Sequence, residues 1–363
     1  MPGSQQKKLA IKSFFAVFYG VIRIQKRPVS KGRRKMSIRI AGTGRYVPEK
    51  VLTNADLERM VDTNDEWIRT RTGIEERHIA AENETTSDMA YQAGLQAIEA
   101  AGITGADIDL IIVATTTPDY AFPNTATILQ NRFGAKNAFC FDVYTACTGL
   151  ISSLEIAFAL LESRKTYRHA LVFGAEKLSC ITNWNDRNTC VLFGDGASCV
   201  LLEKDENCKE SALLASSLHA DGQYANILKL PAGGSAMPAC QKSIDENLHT
   251  IHMEGKETFK LAVGSMVSAC EEAIAQAGIS PDDIAMVIPH QANIRIIQAV
   301  AKRLSVPNEK VYSNIAKYGN TSAASIGICF DEAVRAGQIK RGDVVLMTSF
   351  GGGLTWGAIL IRY

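Results

Sequence analysis

Residues 101–113 read Ala101-Gly102-Ile103-Thr104-Gly105-Ala106-Asp107-Ile108-Asp109-Leu110-Ile111-Ile112-Val113, and residues 277–288 read Ala277-Gly278-Ile279-Ser280-Pro281-Asp282-Asp283-Ile284-Ala285-Met286-Val287-Ile288. An alanine-rich helical pattern precedes each stretch, and each closes on an apolar run suited to a buried strand. The spacing between them is 176 residues, from Gly102 to Gly278. A second echo follows in the same order: a helical pattern over 150–162 with a strand over 170–173, then a helical pattern over 327–336 with a strand over 343–348. Two similar halves, 36–210 and 211–363, are the simplest account, and they place a site at their junction. Around this repeat the chain alternates strand 37–41, helices 54–60, 64–71 and 87–101, strand 109–114 and helix 124–132. That alternation predicts α/β layers on a mainly parallel sheet.

The 363 residues carry a formal net charge of +1, which hides an asymmetry. Residues 1–36 hold ten Lys/Arg and no acid, so the rest has 29 basic against 38 acidic residues, a balance of −9. An anionic body disfavours bulk nucleic-acid binding. The segment 1–35 reads as a basic extension outside the fold, with a transit peptide to a plastid-type organelle as the alternative to a cytoplasmic protein. No apolar window of membrane-spanning length is expected, hence no membrane partner. Nine scattered cysteines without a CxxC pair fit a reducing compartment better than a disulfide or zinc framework. His249 and His252 would share a metal only on a helix, and no metal site is expected.

Cys147 lies in Asp142-Val143-Tyr144-Thr145-Ala146-Cys147-Thr148-Gly149, after the apolar run 138–141 and before the helical pattern Leu150, Leu154, Ala157, Phe158, Leu161. A thiol where a buried strand turns into a long helix is expected to gain thiolate character from the helix N-terminus. His290 follows the strand 286–288, where open α/β sheets bind ligands. Asn320 sits in the glycine turn Tyr318-Gly319-Asn320-Thr321-Ser322, and Gly351-Gly352-Gly353 follows the strand Val344 to Thr348, offering backbone N–H groups to an oxyanion. Thr63-Asn64-Asp65-Glu66 reads as a capping box, with Trp67 and Arg71 one turn apart on the helix that follows. Cys, His and Asn in this order also occur in papain-like hydrolases, whose local signature around the cysteine is missing here.

Thr53-Asn54-Ala55-Asp56-Leu57, Asp65-Glu66-Trp67-Ile68, Arg71-Thr72-Gly73-Ile74, Ala146-Cys147, Phe193-Gly194-Asp195-Gly196-Ala197, His290-Gln291-Ala292-Asn293, Gly319-Asn320-Thr321-Ser322 and Gly351-Gly352-Gly353-Leu354-Thr355-Trp356-Gly357, taken in order, closely resemble the β-ketoacyl-acyl carrier protein synthase III family, over about Met36 to Tyr363. The resemblance implies the thiolase fold, with duplicated βαβαβαββ halves in five αβαβα layers, and a homodimer. It implies an initiating condensing enzyme of type II fatty acid synthesis that uses acetyl-CoA and malonyl-acyl carrier protein as substrates and needs no cofactor. Cys147 would be the acylated nucleophile. His290 and Asn320 would stabilise the enolate formed as CO2 leaves, and the N–H groups of Cys147 and Gly352 would form the oxyanion hole. Trp67 and Arg187 would sandwich the adenine of CoA, near Thr63, Arg71 and Asn293. Lys260, Gln291, Ala292, Asn293, Ile294 and Arg295 would receive the carrier protein, and Phe122 would floor the partner's acyl pocket. Asn320 cannot act as a base, which favours decarboxylation over proton abstraction. Tyr144 and Thr145 are bulkier than the residues usual there, which leaves primer preference open. A related initiator of secondary metabolism, a hydroxymethylglutaryl-type synthase or a non-catalytic binding subunit are the alternatives.

Overall fold

The computed structural model describes residues 37–208 and 211–363; the extension 1–35 lies outside the described residues. Strands β1 (Ser37–Tyr46), β4 (Leu110–Ala114), β5 (Phe139–Val143), β6 (His169–Glu176) and β7 (Gly196–Asp205) form one sheet, while β2 (Lys50–Thr53) and β3 (Glu76–Ile79) pair as a separate ribbon. The second sheet holds β8 (Leu213–Ala220), β11 (Ile284–Pro289), β12 (Val344–Gly351) and β13 (Thr355–Arg362), and β9 (Leu228–Lys229) pairs with β10 (His252–Met253). The principal helices are α1 (Asp65–Thr72), α2 (Thr86–Ala101), α3 (Thr125–Phe133), α4 (Gly149–Ser163), α5 (Gly255–Ala277), α6 (Ile294–Arg303) and α7 (Ser325–Arg335).

Side-chain alternation along the strands generates the layers. Leu110 and Ile112 of β4 join an apolar cluster with Leu150, Leu154 and Phe158 of α4 and Ile326 and Phe330 of α7. Ile111 and Val113, on the opposite face, join Met89, Ala93 and Ala97 of α2. β12 repeats the pattern: Val345 and Met347 enter the α4–α7 cluster, and Val344 and Leu346 pack with Ala269, Cys270 and Ala273 of α5. Helix, sheet, paired central helices, sheet and helix are therefore stacked as five layers. Each fully buried Leu or Phe contributes about 1.5–3 kcal/mol.

The sheet orders are β1-β7-β6-β4-β5 and, read in the same sense, β8-β13-β12-β11. The missing fifth strand of the second sheet is reduced to a single parallel bridge between Val287 and Val311. Both sheets are mixed rather than mainly parallel. β4 runs parallel to β5 and β6, and β11 to β12, but β7 and β13 are antiparallel to both neighbours. β13 follows β12 after a turn of a few residues, and only antiparallel strands can be joined so tightly.

The 176-residue spacing persists in the backbone. β1 and β8 begin at Ser37 and Leu213, α2 and α5 end at Ala101 and Ala277, and α4 and α7 begin at Gly149 and Ser325. Each central helix is preceded by a 3-10 turn, Ala146–Thr148 and Ser322–Ala324. Ala146 and Ser322 both take a left-handed conformation, φ 45° and 47°, which costs a non-glycine residue about 1–2 kcal/mol. β5 is the edge of its sheet, with Phe139 exposed, rather than the buried strand its apolar sequence suggests. The stretch Ala146–Ser163, with mean hydropathy 1.4 over 18 residues, is long and apolar enough by length and composition to cross a membrane, against the expectation of no such window. Leu150, Ile151, Leu154, Phe158 and Leu161 instead spend that hydropathy in the core between the sheets.

The halves meet closely. A Cβ on Gly174 of β6 would lie 2.2 Å from the Ala323 carbonyl oxygen. Buried Asp331 of α7 accepts from Thr43 Oγ1 at 2.7 Å and pairs with Arg45 of β1 and with Arg335. Gly174→Val is expected to cost about 1–3 kcal/mol by overpacking, read as a lower urea midpoint with an unchanged m-value.

Candidate active site

Cys147 stands on the 3-10 turn between β5 and α4 and opens on a cavity of about 1030 Å³ lined by both halves of the chain. The left-handed Ala146 turns the backbone so that the next side chain faces this cavity. The end of β12 lies directly against it: a Cβ on Gly351 would sit 2.8 Å from the Cys147 nitrogen. Ser349 Oγ donates to the Cys147 carbonyl oxygen at 2.7 Å. Burial pushes the thiol up to about 12, and the carboxylate of Glu176 adds to the shift, while the Ser322 hydroxyl and the residue's own N–H oppose it. The expected thiolate at a helix N-terminus is thus not the resting form, because desolvation outweighs the partial charge of the turn.

His290 continues from β11, its N–H donating to the Thr348 carbonyl of β12 at 2.8 Å. The ring is 2% exposed, and burial holds the imidazole down at about 3, so it is neutral at any working pH. Its Nδ1 lies 2.7 Å from Ser325 Oγ, and the Gln291 N–H donates to the same oxygen at 3.4 Å. With that oxygen already accepting, we assign the Ser325 proton to the bond with Nδ1, which leaves the imidazole proton on Nε2. Asn320 is set by its backbone, which exchanges bonds with Leu192 and Gly194 of the first half at 2.8 and 3.0 Å. Its Oδ1 accepts the Ser322 N–H at 2.8 Å, so its amide NH2 is the end left to act as donor. Both residues line the cavity with Cys147. Two neutral donors therefore face one thiol.

Trp67 and Arg71 of α1 line the same cavity. The helix is capped by Asn64, whose Oδ1 accepts the Trp67 N–H at 2.8 Å, and stops at Gly73 with φ 79°. The cap is one residue later than the expected Thr63 box, because Asn64 is still extended. The guanidinium groups of Arg71 and Arg187 lie 5.0 and 5.3 Å from the Trp67 ring centroid, a cationic and aromatic cluster suited to a base and its phosphates. Buried Arg77 ties this region down, donating to the carbonyls of Leu52 and Val191 and to Asn54 Oδ1; burial lowers its pKa to about 10.

The cavity also brings together Gly352, Ala292, Asn293 and Arg295 from the expected set. Asn293 caps α6 by accepting the Arg295 N–H. Arg187 adjoins through Trp67, while Thr63, Lys260, Ile294 and Phe122 do not line it. Exposed Lys260 pairs with Glu257 at 3.7 Å, and Ile294 packs over Gly73. Gln291 is corrected: it is fully buried, donating to the Pro289 carbonyl and accepting from Ser313 Oγ and the Asn314 N–H, so its side chain is not offered to a partner. The expectation missed Ser322, Ser325 and Glu176. Glu176 had one signal, an acid closing an apolar strand at the sheet's ligand-binding end.

The model of 3-oxoacyl-[acyl-carrier-protein (ACP)] synthase III matches residues 141–222, and that of its C-terminal part matches residues 274–363. A β-ketoacyl-[acyl-carrier-protein] synthase III from Caldanaerobacter subterraneus is 54% identical over 329 residues, 91% of this chain and 98% of that protein. The crystal structure of the Aquifex aeolicus 3-oxoacyl-[acyl-carrier-protein] synthase III superposes with a TM-score of 0.83 at 48% identity, covering 90% of this chain and all (100%) of that one. The priming β-ketosynthase of the R1128 polyketide pathway superposes with a TM-score of 0.84 at 32% identity, covering 92% and 98%. With its thiolase-type frame of two halves and a cysteine, a histidine and an asparagine on one cavity, this chain belongs to the β-ketoacyl-acyl carrier protein synthase III family.

Proposed function

We propose that the chain opens type II fatty acid synthesis as a condensing acyltransferase. Acetyl-CoA acylates Cys147, and decarboxylative Claisen condensation with malonyl-acyl carrier protein gives acetoacetyl-carrier protein, CoA and CO2. The observation that carries this reading is the meeting of the thiol with two neutral donors, from opposite halves, on one cavity. In the first step the Cys147 sulfur attacks the thioester carbonyl. The N–H groups of Cys147 and Gly352 hold the oxyanion, and CoA leaves as its thiol. In the second, the malonyl carboxylate departs as CO2 and its electron pair becomes an enolate. His290 Nε2–H and the Asn320 amide donate to that enolate oxygen, so no ionised base is required. The enolate carbon then attacks acetyl-Cys147, and the cysteine sulfur is expelled and takes up one proton. Identities of 47–54% to synthases of fatty acid type, against 32% to the polyketide priming enzyme, favour the fatty acid assignment.

Trp67, Arg71 and Arg187 are the proposed adenine and phosphate site. A ring intercalated between Trp67 and Arg187 needs about 3.5 Å on each side, more than the present 5.3 Å separation, so Arg187 must swing outward as CoA enters. Arg71, Lys229, Lys256 and Arg295 give the cavity wall a cationic character that the body as a whole lacks, fitting phosphates and an acidic carrier protein. A homodimer completes the site in this reading. The open edge of β5 pairs with its copy about a twofold axis, which covers Phe139 at 57% exposure and lets Phe122, at 86%, reach the other protomer's cavity.

Intact-mass analysis after exposure to a panel of acyl-CoAs is expected to show one acetyl group on the native chain and none on Cys147→Ala. Cys147→Ala condensing at full rate would overturn the assignment. His290→Ala and Asn320→Ala should keep that adduct while losing about 10²–10³-fold in malonyl decarboxylation. Because His290 gains a proton only near pH 3, the native decarboxylation rate should show no imidazole inflection between pH 5 and 8. Phe139→Asp should sediment as a monomer at concentrations where the native chain is dimeric.

A further inference from the structure

The two N–H groups assigned to the oxyanion come from opposite halves of the chain, Cys147 on the 3-10 turn after β5 and Gly352 in the turn between β12 and β13. Gly351, Gly352 and Gly353 are all glycines, the residue type with the most backbone freedom to lose. An oxyanion hole works only with its donors already in place, so this turn needs restraint from outside itself. Two hydrogen bonds cross from its flanks to the nucleophile turn. On the incoming strand, Ser349 Oγ donates to the Cys147 carbonyl oxygen at 2.7 Å. On the outgoing strand, Thr355, the cross-strand partner of Gly351, has its Oγ1 at 2.8 Å from Thr148 Oγ1. Thr148 Oγ1 donates to the Thr145 carbonyl at 2.7 Å, and with its proton placed there we assign the Thr355 hydroxyl as donor to Thr148. The other acceptors within reach of Thr355 Oγ1, the carbonyls of Thr145 and Gly352, are farther away, at 3.3 and 3.4 Å.

Resting on the acyl-transfer reading above, we infer that Thr148, Ser349 and Thr355 form a clasp that sets the oxyanion hole, which makes them positioning residues for the two acyl steps. Ser349 and Thr355 flank the glycine turn on its two strands. Tying one to Cys147 and the other to Thr148 fixes the Gly352 N–H relative to the Cys147 N–H. None of the three lines the cavity, so they act on the reaction only through those N–H groups. The oxyanion forms twice, when Cys147 attacks acetyl-CoA and when the enolate attacks acetyl-Cys147. It does not form as CO2 leaves, when His290 and Asn320 hold the enolate oxygen. The clasp therefore serves acyl transfer and leaves decarboxylation alone, the reverse of the split expected for His290 and Asn320.

The experiment is rapid-quench acetylation of Cys147, read by mass over a range of acetyl-CoA concentrations, beside CO2 release from malonyl-acyl carrier protein without acetyl-CoA. Thr148→Val, Thr355→Val and Ser349→Ala should each acetylate about 10–10²-fold more slowly at saturation. That is less than the 10²–10³-fold loss on removing an oxyanion donor outright, since here the donor is loosened and not lost. The half-saturating acetyl-CoA concentration and the rate of CO2 release should not change. Thr148→Ser separates the hydrogen bond from packing. Valine keeps the side-chain volume and loses the hydroxyl; serine keeps the hydroxyl and loses a methyl group, so Thr148→Ser should acetylate close to the native rate. Thr148→Val combined with Thr355→Val should be no slower than Thr148→Val alone, because the second change removes a bond already gone. Native acetylation in any of the three variants, a serine variant as slow as the valine one, or losses that multiply in the double variant would overturn the clasp. So would CO2 release that falls in step with acetylation. Thr355 is only half-buried, so Thr355→Val decides if Thr148→Val does not fold. A native chain that never forms acetyl-Cys147 refutes the acyl-transfer reading itself, an outcome distinct from these.

Discussion

The whole arrangement depends on how closely the two halves can approach between the sheets. β6 carries glycine where the Ala323 carbonyl presses against it, and the α4–α7 layer is filled by Leu154, Phe158, Ile326 and Phe330 rather than by longer polar side chains. Only at that separation do a turn of the first half and a turn of the second reach one cavity. The apolar layer therefore supplies more than stability. It fixes the separation of the thiol and the two donors that the proposed reaction needs, a distance that side-chain flexibility could not hold.

Electrostatically, the thiol and its two facing donors are neutral, and the buried carboxyl of Glu176 lies close enough to raise the thiol further. Burial keeps the imidazole neutral and the thiol protonated, and the hydrogen bonds of Ser325 and Ser322 decide which atoms of His290 and Asn320 carry the donors. In the proposed reaction charge develops only transiently, on an oxyanion or an enolate, where preorganised N–H groups would meet it. The cations Arg71, Lys256 and Arg295 line the cavity wall, where the proposed substrate would bring its phosphates.

Much of this was legible in the sequence, for identifiable reasons. The repeat at Gly102 and Gly278 announced the duplication because helix ends and strand starts leave local signatures. Cys147, His290 and Asn320 stood out because each sits at a strand end or glycine turn. What stayed hidden depends on neighbours far away in the chain. Gln291 shares a motif with His290, but its direction is settled by Ser313 and the Asn314 backbone. Arg77 reads as an ordinary surface cation in a short strand until Leu52 and Val191 are seen to enclose it. The protonation of Cys147 was misjudged because helix position is readable locally and desolvation is not. The β7 and β13 directions escaped for the same reason, since an apolar run does not say which way its neighbour runs.

The spacing that relates the halves also relates the catalytic positions to unreactive ones. Carried across by 176 residues, Cys147 falls on Ala323 and His290 on Ala114, both buried alanines beside Gly149 and Gly174. At those mirrored places the side chains are only methyl groups, packed against the glycines where the halves meet. The fold thus uses its symmetry for construction and breaks it at the cavity: one half presents the thiol, the other the two neutral donors that face it.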